Sequence, residues 1–261
     1  MNSVLCIDLG STNIKLHINN GKQDFYEIQP SGRDISIDTF KEYVNNFLKS
    51  AKVDKVAGVA VSFPGVAENG RVVNSLVDIL NHVGDDFLLS LSRNVVYIND
   101  ANAVAYYIAK ENPEYKSIAT LTVGTNIGFA MMDNGILFEG ANKNAGEHSY
   151  YTLAPNGEFC PLNLMCSGRT IQNMLDSGLS LDIALNQTAK YLVCLITQVY
   201  NLYDPDVVFL SGGAFNYDGF FEIVESYLAP LSTCKIKLAP NPVYAGCFGA
   251  KEYFNIHYKN K

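Results

Sequence analysis

The sequence predicts an α/β protein built of two related lobes, and three features carry that expectation. Strand-like and helix-like segments alternate along the chain. Three groups of segments recur in the same order in the second half. Finally, 261 residues with 48% hydrophobic and 17% charged side chains supply apolar surface for sizeable cores and exclude a disordered scaffold.

Val4 to Leu9 is apolar enough for a buried strand, and Asn13 to Ile18 reads as its neighbour. Asn19-Asn20-Gly21 offers residues that accept positive φ, which predicts a tight hairpin into a third strand, Phe25 to Ile28. Ile37, Phe40, Tyr43, Val44, Phe47 and Leu48 recur at helical spacing, and Val56 to Val61 is a buried-type strand ending at Ser62-Phe63-Pro64-Gly65. After an irregular stretch, Asn94 to Ile98 is a strand that stops at Asn99-Asp100, and the alanine-rich run Ala101 to Lys110 is helical. A first lobe over residues 1–100 is expected from this, rejoined by a closing helix within 245–261.

The second lobe, 101–244, starts the same order again. Strands are expected at Ile118 to Val123 and Ile127 to Met132, then a turn at Asp133-Asn134-Gly135 and a strand at Ile136 to Phe138. Ser167 to Ser177 and Leu181 to Tyr203 read as helices, the latter presenting Leu185, Ala189, Leu192, Ile196, Val199 and Tyr203 to a core. Val207 to Leu210 is a strand ending in Ser211-Gly212-Gly213. Phe220 to Leu228 is a helix, Ile236 to Leu238 a strand and Ala245 to Tyr253 the closing helix.

The repetition can be counted. Gly10-Ser11-Thr12-Asn13 through Gly21 and Gly124-Thr125-Asn126-Ile127 through Gly135 are equally long, and each ends in a hairpin Asn-Gly. Val56 to Gly65 resembles Val207 to Gly213. Asp100 to Glu111 resembles Asn241 to Glu252, down to a shared Ala-Lys-Glu ending. Three such pairs in one order imply two related lobes facing each other across a central cleft.

Charge narrows the partners. Lys plus Arg number 19 against 26 Asp plus Glu, for a net charge of -7 without any block of like charges, so a phosphate-backbone partner has no electrostatic footprint. No apolar run reaches the roughly 18 residues of a membrane span, and the chain enters a strand without a basic leader, so a cytoplasmic protein is expected. Six scattered cysteines suggest reduced thiols rather than a disulfide framework.

The chemistry lies in the turns. In Asp8-Leu9-Gly10-Ser11-Thr12-Asn13-Ile14-Lys15, an acidic residue at a strand end is followed by a small-residue turn. Such a turn offers backbone N–H groups and hydroxyls to phosphate oxygens, while the carboxylate faces the metal that neutralises them. A strand turn with a surface Asp is the plainer reading, but the turn has a duplicate with Thr122 in place of Asp8, so two phosphate turns share one metal-side charge. Asp100 stands where a strand meets a helix and reads both as a helix cap and as the carboxylate that orients an acceptor hydroxyl and takes its proton.

These residues resemble a known family. Asp8 to Lys15, Ser62-Phe63-Pro64-Gly65, Asn99-Asp100-Ala101-Asn102-Ala103, Gly124-Thr125-Asn126-Ile127-Gly128, Gly140 through Ala145-Gly146-Glu147, and Ser211-Gly212-Gly213 follow in order the pattern of the ROK family of sugar kinases and repressors. The resemblance spans nearly the whole chain and favours the kinase branch, glucokinases and N-acetylhexosamine kinases, since the repressors carry an added N-terminal DNA-binding segment. It implies the actin-like ATPase (ribonuclease H-like) fold, ATP and Mg²⁺ as cofactors with the metal at Asp8, and Asp100 as general base. Asn99, Asp100, Glu147 and Gly65 would bind the sugar. Gly10, Ser11, Thr12, Lys15, Gly124, Thr125, Gly212 and Gly213 would line the nucleotide side.

Three family features are missing. Tyr150 stands where the family usually places a His, three residues after Glu147, with His148 at a position that is normally apolar. The zinc-binding Cys-x-Cys-Gly-x-x-Gly-Cys cluster is replaced by Phe159 to Gly168, with only Cys160 and Cys166. Tetrahedral zinc wants four Cys or His ligands at tight spacing, so free thiols are expected and no zinc. Asn163 also replaces the usual Glu, which leaves the sugar open between glucose and an N-acylhexosamine such as N-acetylglucosamine or N-acetylmannosamine. Two alternatives stand beside the sugar kinase: a type III pantothenate kinase, and a sugar-binding protein of this family that has lost catalysis. Homodimerisation is left open. His17, His82 and His257 lack partners at metal or triad spacing and read as surface or satisfied histidines.

Overall fold

The computed structural model describes residues 3–68, 71–82, 84–141, 145–146, 151–153, 157–239 and 243–258. They fall into two units, residues 1–110 with 244–261 and residues 111–243. The first unit therefore runs past residue 100 and takes in the helix that follows. Ala103 on that helix packs with Cys247, Ala250 and Phe254 of the C-terminal helix against Cys6, Ala60 and Val96 of the first sheet.

In the first unit, β1 (Val4–Leu9), β2 (Asn13–Asn19) and β3 (Asp24–Pro30) form an antiparallel meander, followed by α1 (Ile37–Ser50) and β4 (Gly58–Phe63). A short hairpin, β5 (Gly65–Glu68) and β6 (Arg71–Ser75), and two helices, α2 (Ile79–His82) and α3 (Gly84–Leu91), occupy the stretch that reads as irregular in the sequence. Then come β7 (Val95–Asn99) and α4 (Asp100–Glu111). The sheet order is β3-β2-β1-β4-β7, with β1, β4 and β7 parallel. Leu5, Ile7 and Leu9 face α1 residues Phe40, Val44 and Phe47. Cys6 lies on the other face, under the C-terminal helix, Ala245–Tyr258. Both faces are covered, which is why β1 reads as an unbroken apolar run. Alternation puts Asp8 on the face of Cys6.

The second unit holds β8 (Ser117–Val123), β9 (Ile127–Asp133), β10 (Ile136–Leu137), β11 (Tyr151–Leu153) and β12 (Phe159–Pro161). Its helices and last strands are α5 (Asn163–Cys166), α6 (Gly168–Asp176), α7 (Leu181–Tyr203), β13 (Val207–Ser211), α8 (Phe220–Leu228) and β14 (Ile236–Leu238). Its main sheet has the order β10-β9-β8-β13-β14, again an antiparallel meander joined to parallel strands. Ala119, Leu121 and Val123 of β8 pack on α7 through Leu185, Ala189, Leu192 and Ile196. Among the described residues no helix is long and apolar enough to cross a membrane.

The two sheets are not copies at the turn. Leu9 pairs with Ile14 across four intervening residues, whereas Val123 pairs with Ile127 across three. Asp8 therefore faces Lys15, but Thr122 faces Gly128.

Candidate active site

Asp8 is a buried carboxylate near the end of β1. The parallel register sets Ser62 of β4 beside it, and the Ser62 hydroxyl donates to Asp8 Oδ1 at 3.0 Å. The antiparallel register sets Lys15 on its other side, and Lys15 Nζ donates to Oδ2 at 2.7 Å. Above it runs the first turn of the C-terminal helix. A Cβ at Gly246 would lie 2.6 Å from Asp8 Cγ, so only glycine lets the helix approach this closely. Burial acts to lower the Lys15 pKa but is outweighed by the Asp8 charge and hydrogen bond, with a smaller pull from Asp100, so the ammonium is held above its usual range.

Asp100 opens α4, yet it is Asn99 that caps the helix. Asn99 Oδ1 accepts from the N–H groups of Ala101 at 2.8 Å and Asn102 at 3.2 Å, and its Nδ2 donates to Gly65 O at 3.2 Å. The expectation of Asp100 as the cap is corrected accordingly: the adjacent amide takes two N–H groups of the helix, while Asp100 Oδ1 accepts the N–H of Ala101 at 2.9 Å. Gly65 is fixed by packing as well. A Cβ there would lie 2.1 Å from Asn74 O in the β5–β6 hairpin.

Asp100 is partly buried, and burial first, then the negative charge of Asp8, push its carboxyl up to about 6. The Ala101 N–H and Lys15 pull the other way. Between the ordinary value of 3.8 and about 6 the folded chain holds more protons than the unfolded one. This group's contribution to stability is therefore full below 3.8 and is lost as pH rises through about 6. Asp100→Asn should accordingly melt above wild type at pH 8, with the gap closing at pH 4. A variant that melts below wild type at both values contradicts this.

The turn after β1 is braced by a residue that sequence reasoning missed. Gly10 N–H donates to Asn13 O at 3.0 Å, and Ser31, just past β3, clamps the turn with its N–H on Thr12 O at 2.9 Å and its hydroxyl on Gly10 O at 2.8 Å. Thr12 is exposed and Ser11 partly so. Ser31, Ser62 and Gly246 carry no local motif; only strand register and helix packing bring them to the site.

In the second unit, three glycine-bearing turns meet at the ends of β8 and β13. Gly124 N–H donates to Asn126 O at 3.0 Å, and Gly124 O accepts from Gly168 N–H, at the start of α6, at 2.7 Å. Gly212 has φ 102°, and a Cβ there would sit 2.6 Å from Val123 O, so the β13 turn needs glycine on both counts. Gly213 has no neighbour within 4 Å of a built Cβ, and Thr125 is half-exposed. Each unit thus holds its own set of predicted residues: Asp8, Gly10, Ser11, Thr12, Lys15, Gly65, Asn99 and Asp100 in the first, Gly124, Thr125, Gly212 and Gly213 in the second. Glu147, His148 and Tyr150 lie outside the described residues.

All six cysteines are free thiols. Cys166 is in the core of the second unit, where burial pushes its thiol up to about 12. Among the described residues no three His, Cys, Asp or Glu side chains gather as a metal-ligand group. His17 differs from the expectation of a surface or satisfied histidine. It is buried, with Nε2 2.8 Å from Asp24 Oδ1 and Nδ1 without a partner.

Comparison with known proteins adds to this geometry. The profile of the ROK family matches residues 4–180. N-acetylgalactosamine kinase AgaK of Shewanella sp. (strain ANA-3) is 29% identical over 58% of this chain, and the match spans about half of that kinase, 51%. N-acetyl-D-glucosamine kinase of Pasteurella multocida (strain Pm70) is 26% identical over 85% of this chain and 87% of its own length. A ROK family glucokinase from Streptomyces griseus, solved in complex with glucose and AMPPNP, superposes with a TM-score of 0.78 at 15% identity, covering 97% of this chain and 99% of that one. That likeness assigns the fold, the actin-like ATPase fold of the ROK kinases.

Proposed function

The chain belongs to the ROK family, and from that premise we propose that it is an ATP-dependent carbohydrate kinase that phosphorylates a hydroxyl of glucose or an N-acylhexosamine. The observation that carries the reading is Asp100, a partly buried carboxylate whose pKa is pushed up to about 6 by burial and by the neighbouring Asp8. That value is low enough for Asp100 to be ionised at neutral pH and high enough for it to accept a proton from a sugar hydroxyl. The names of the relatives, kinases of N-acetylgalactosamine and N-acetyl-D-glucosamine, support the same class of acceptor.

In the proposed reaction the acceptor oxygen attacks the γ-phosphorus of ATP. Its proton passes to Asp100 as the bond between the γ-phosphorus and the bridging oxygen breaks, and ADP leaves. Asn99, already committed at Oδ1 to the helix and through one N–H to Gly65, keeps one amide donor for a sugar hydroxyl. Glu147 would add a second sugar contact. Gly10, Ser11, Thr12 and Lys15 of the first unit, and Gly124, Thr125, Gly212 and Gly213 of the second, would present N–H groups, hydroxyls and one ammonium to phosphate oxygens.

Asp8 fits a Mg²⁺ ligand. It is a hard carboxylate whose orientation is fixed by Ser62 and Gly246. An ion held there would neutralise charge on the terminal phosphates.

Sugar-dependent ADP release over a panel of glucose, N-acetylglucosamine, N-acetylgalactosamine, N-acetylmannosamine and pantothenate tests the proposal. Turnover is expected with at least one sugar and none with pantothenate. Silence across the sugars, with a sugar still raising the melting temperature, would overturn the kinase in favour of a binding protein.

A further inference from the structure

The ammonium of Lys15 pairs with Asp8 at the oxygen that the Ser62 hydroxyl leaves free. Ser62 holds Oδ1, and the Gly246 backbone closes the carboxylate from the C-terminal helix. Lys15 holds Oδ2 at 2.7 Å, and its side chain is 27% exposed against 10% for Asp8. The contact is built into the strands. Lys15 is the cross-strand partner of Asp8 on β2, and Ile28 of β3 pairs with it from the other side, so the side chain starts at a fixed height beside the carboxylate. Nothing comparable exists in the second sheet, where the one-residue difference in the turn leaves Thr122 facing Gly128.

We propose that Lys15 is a resident counterion of Asp8 that a divalent cation must displace, so that this lysine sets how tightly the first unit binds metal. The proposal rests on the reading that Asp8 holds Mg²⁺, and it deepens that reading. A carboxylate buried without a partner is costly, and a lysine supplies the missing charge while the metal is away. When a cation takes Oδ2, the two positive charges repel each other across it, and the ammonium swings away on its flexible stem, free to meet a phosphate oxygen. Lys15 thereby has two stations, one on Asp8 and one on the incoming anion, and its departure from the first is linked to arrival of the metal.

Binding of Mn²⁺ to the full-length, nucleotide-free protein, read from loss of the free-ion EPR signal, separates the possibilities. Lys15→Gln keeps a donor and removes the charge, and it should bind Mn²⁺ about tenfold more tightly than wild type because the competing cation is gone. Lys15→Arg should bind as wild type does, and it serves as the second variant should the glutamine chain fold poorly. In the metal-free state Lys15→Gln should melt below wild type, and Mn²⁺ should raise its melting temperature more than it raises that of wild type. Asp8→Asn added to Lys15→Gln should abolish the gain. Equal or weaker Mn²⁺ binding by Lys15→Gln, with Asp8→Asn still weakening it, overturns the counterion and leaves Asp8 as the metal ligand. Weaker Mn²⁺ binding by Lys15→Arg than by wild type likewise overturns it. Binding indifferent to Asp8→Asn in both backgrounds overturns the metal assignment itself, and the counterion proposal with it.

Discussion

Asp100→Asn is expected to lower kcat by about three orders of magnitude, about 4 kcal/mol of activation free energy, while leaving sugar and nucleotide affinities within a few-fold of wild type. The amide preserves the shape of the side chain and its Oδ1 acceptor for the Ala101 N–H, so the start of α4 is undisturbed. What it lacks is a basic oxygen. Helix capping does not confuse the result, because the cap is Asn99. Steady-state turnover combined with calorimetric binding of sugar and AMPPNP decides the matter: wild-type turnover removes Asp100 from the chemistry. A turnover loss matched by an equal loss of sugar affinity would make it a binding residue instead.

Gly249→Val carries the largest expected effect on stability. A Cβ at Gly249 would lie 1.6 Å from Ala103 O and 2.3 Å from Ala103 C, so the obstacle is the backbone of α4, which has no rotamer to escape into. The C-terminal helix must then lift from α4, breaking the Lys110–Glu252 ion pair and the Tyr106–Tyr253 contact and loosening Phe254, whose ring lies where a Cβ at Gly58 would be. Overpacking of this kind costs about 3 kcal/mol or more, which for a chain of this size lowers the melting temperature by about 6–12 °C. Activity should fall as well, because Gly246, one turn earlier on the same helix, is packed against Asp8. Gly213→Ala, where a built Cβ has no neighbour within 4 Å, is the control and should melt as wild type does. Melting of Gly249→Val within a degree of wild type would show that the helices do not pack this closely.

Much of this was readable without coordinates, for reasons that differ from element to element. The β1–β3 meander announces itself because Asn19-Asn20-Gly21 is a turn that few other conformations use, and α7 because its apolar positions keep helical phase over 23 residues. The hairpin β5–β6 and helices α2 and α3 leave no such signal in the sequence. The strands are four and five residues long with a register shift at Val66/Ala67, and α2 is a single turn, so no period has room to show. The turn duplication was legible as a length, but pairing register was not. Counting from glycine to glycine gives equal segments, yet the hairpins close over four and three residues. That single residue decides that Lys15 lies on Asp8 rather than elsewhere. The division of labour between Asn99 and Asp100 was also hidden, since either residue type caps a helix.

The acid limb of the sugar kcat/KM profile at saturating nucleotide tests the central claim most directly, because it reports ionisation of the essential base in the nucleotide-bound protein before sugar binds. Activity should fall tenfold per pH unit below a break that burial, the larger cause of the raised Asp100 pKa, holds above the ordinary value of 3.8 even when a cation covers Asp8, and Asp100→Asn should lose that limb. A profile that stays flat from pH 7 down to pH 4 would contradict the assignment of Asp100 as the base.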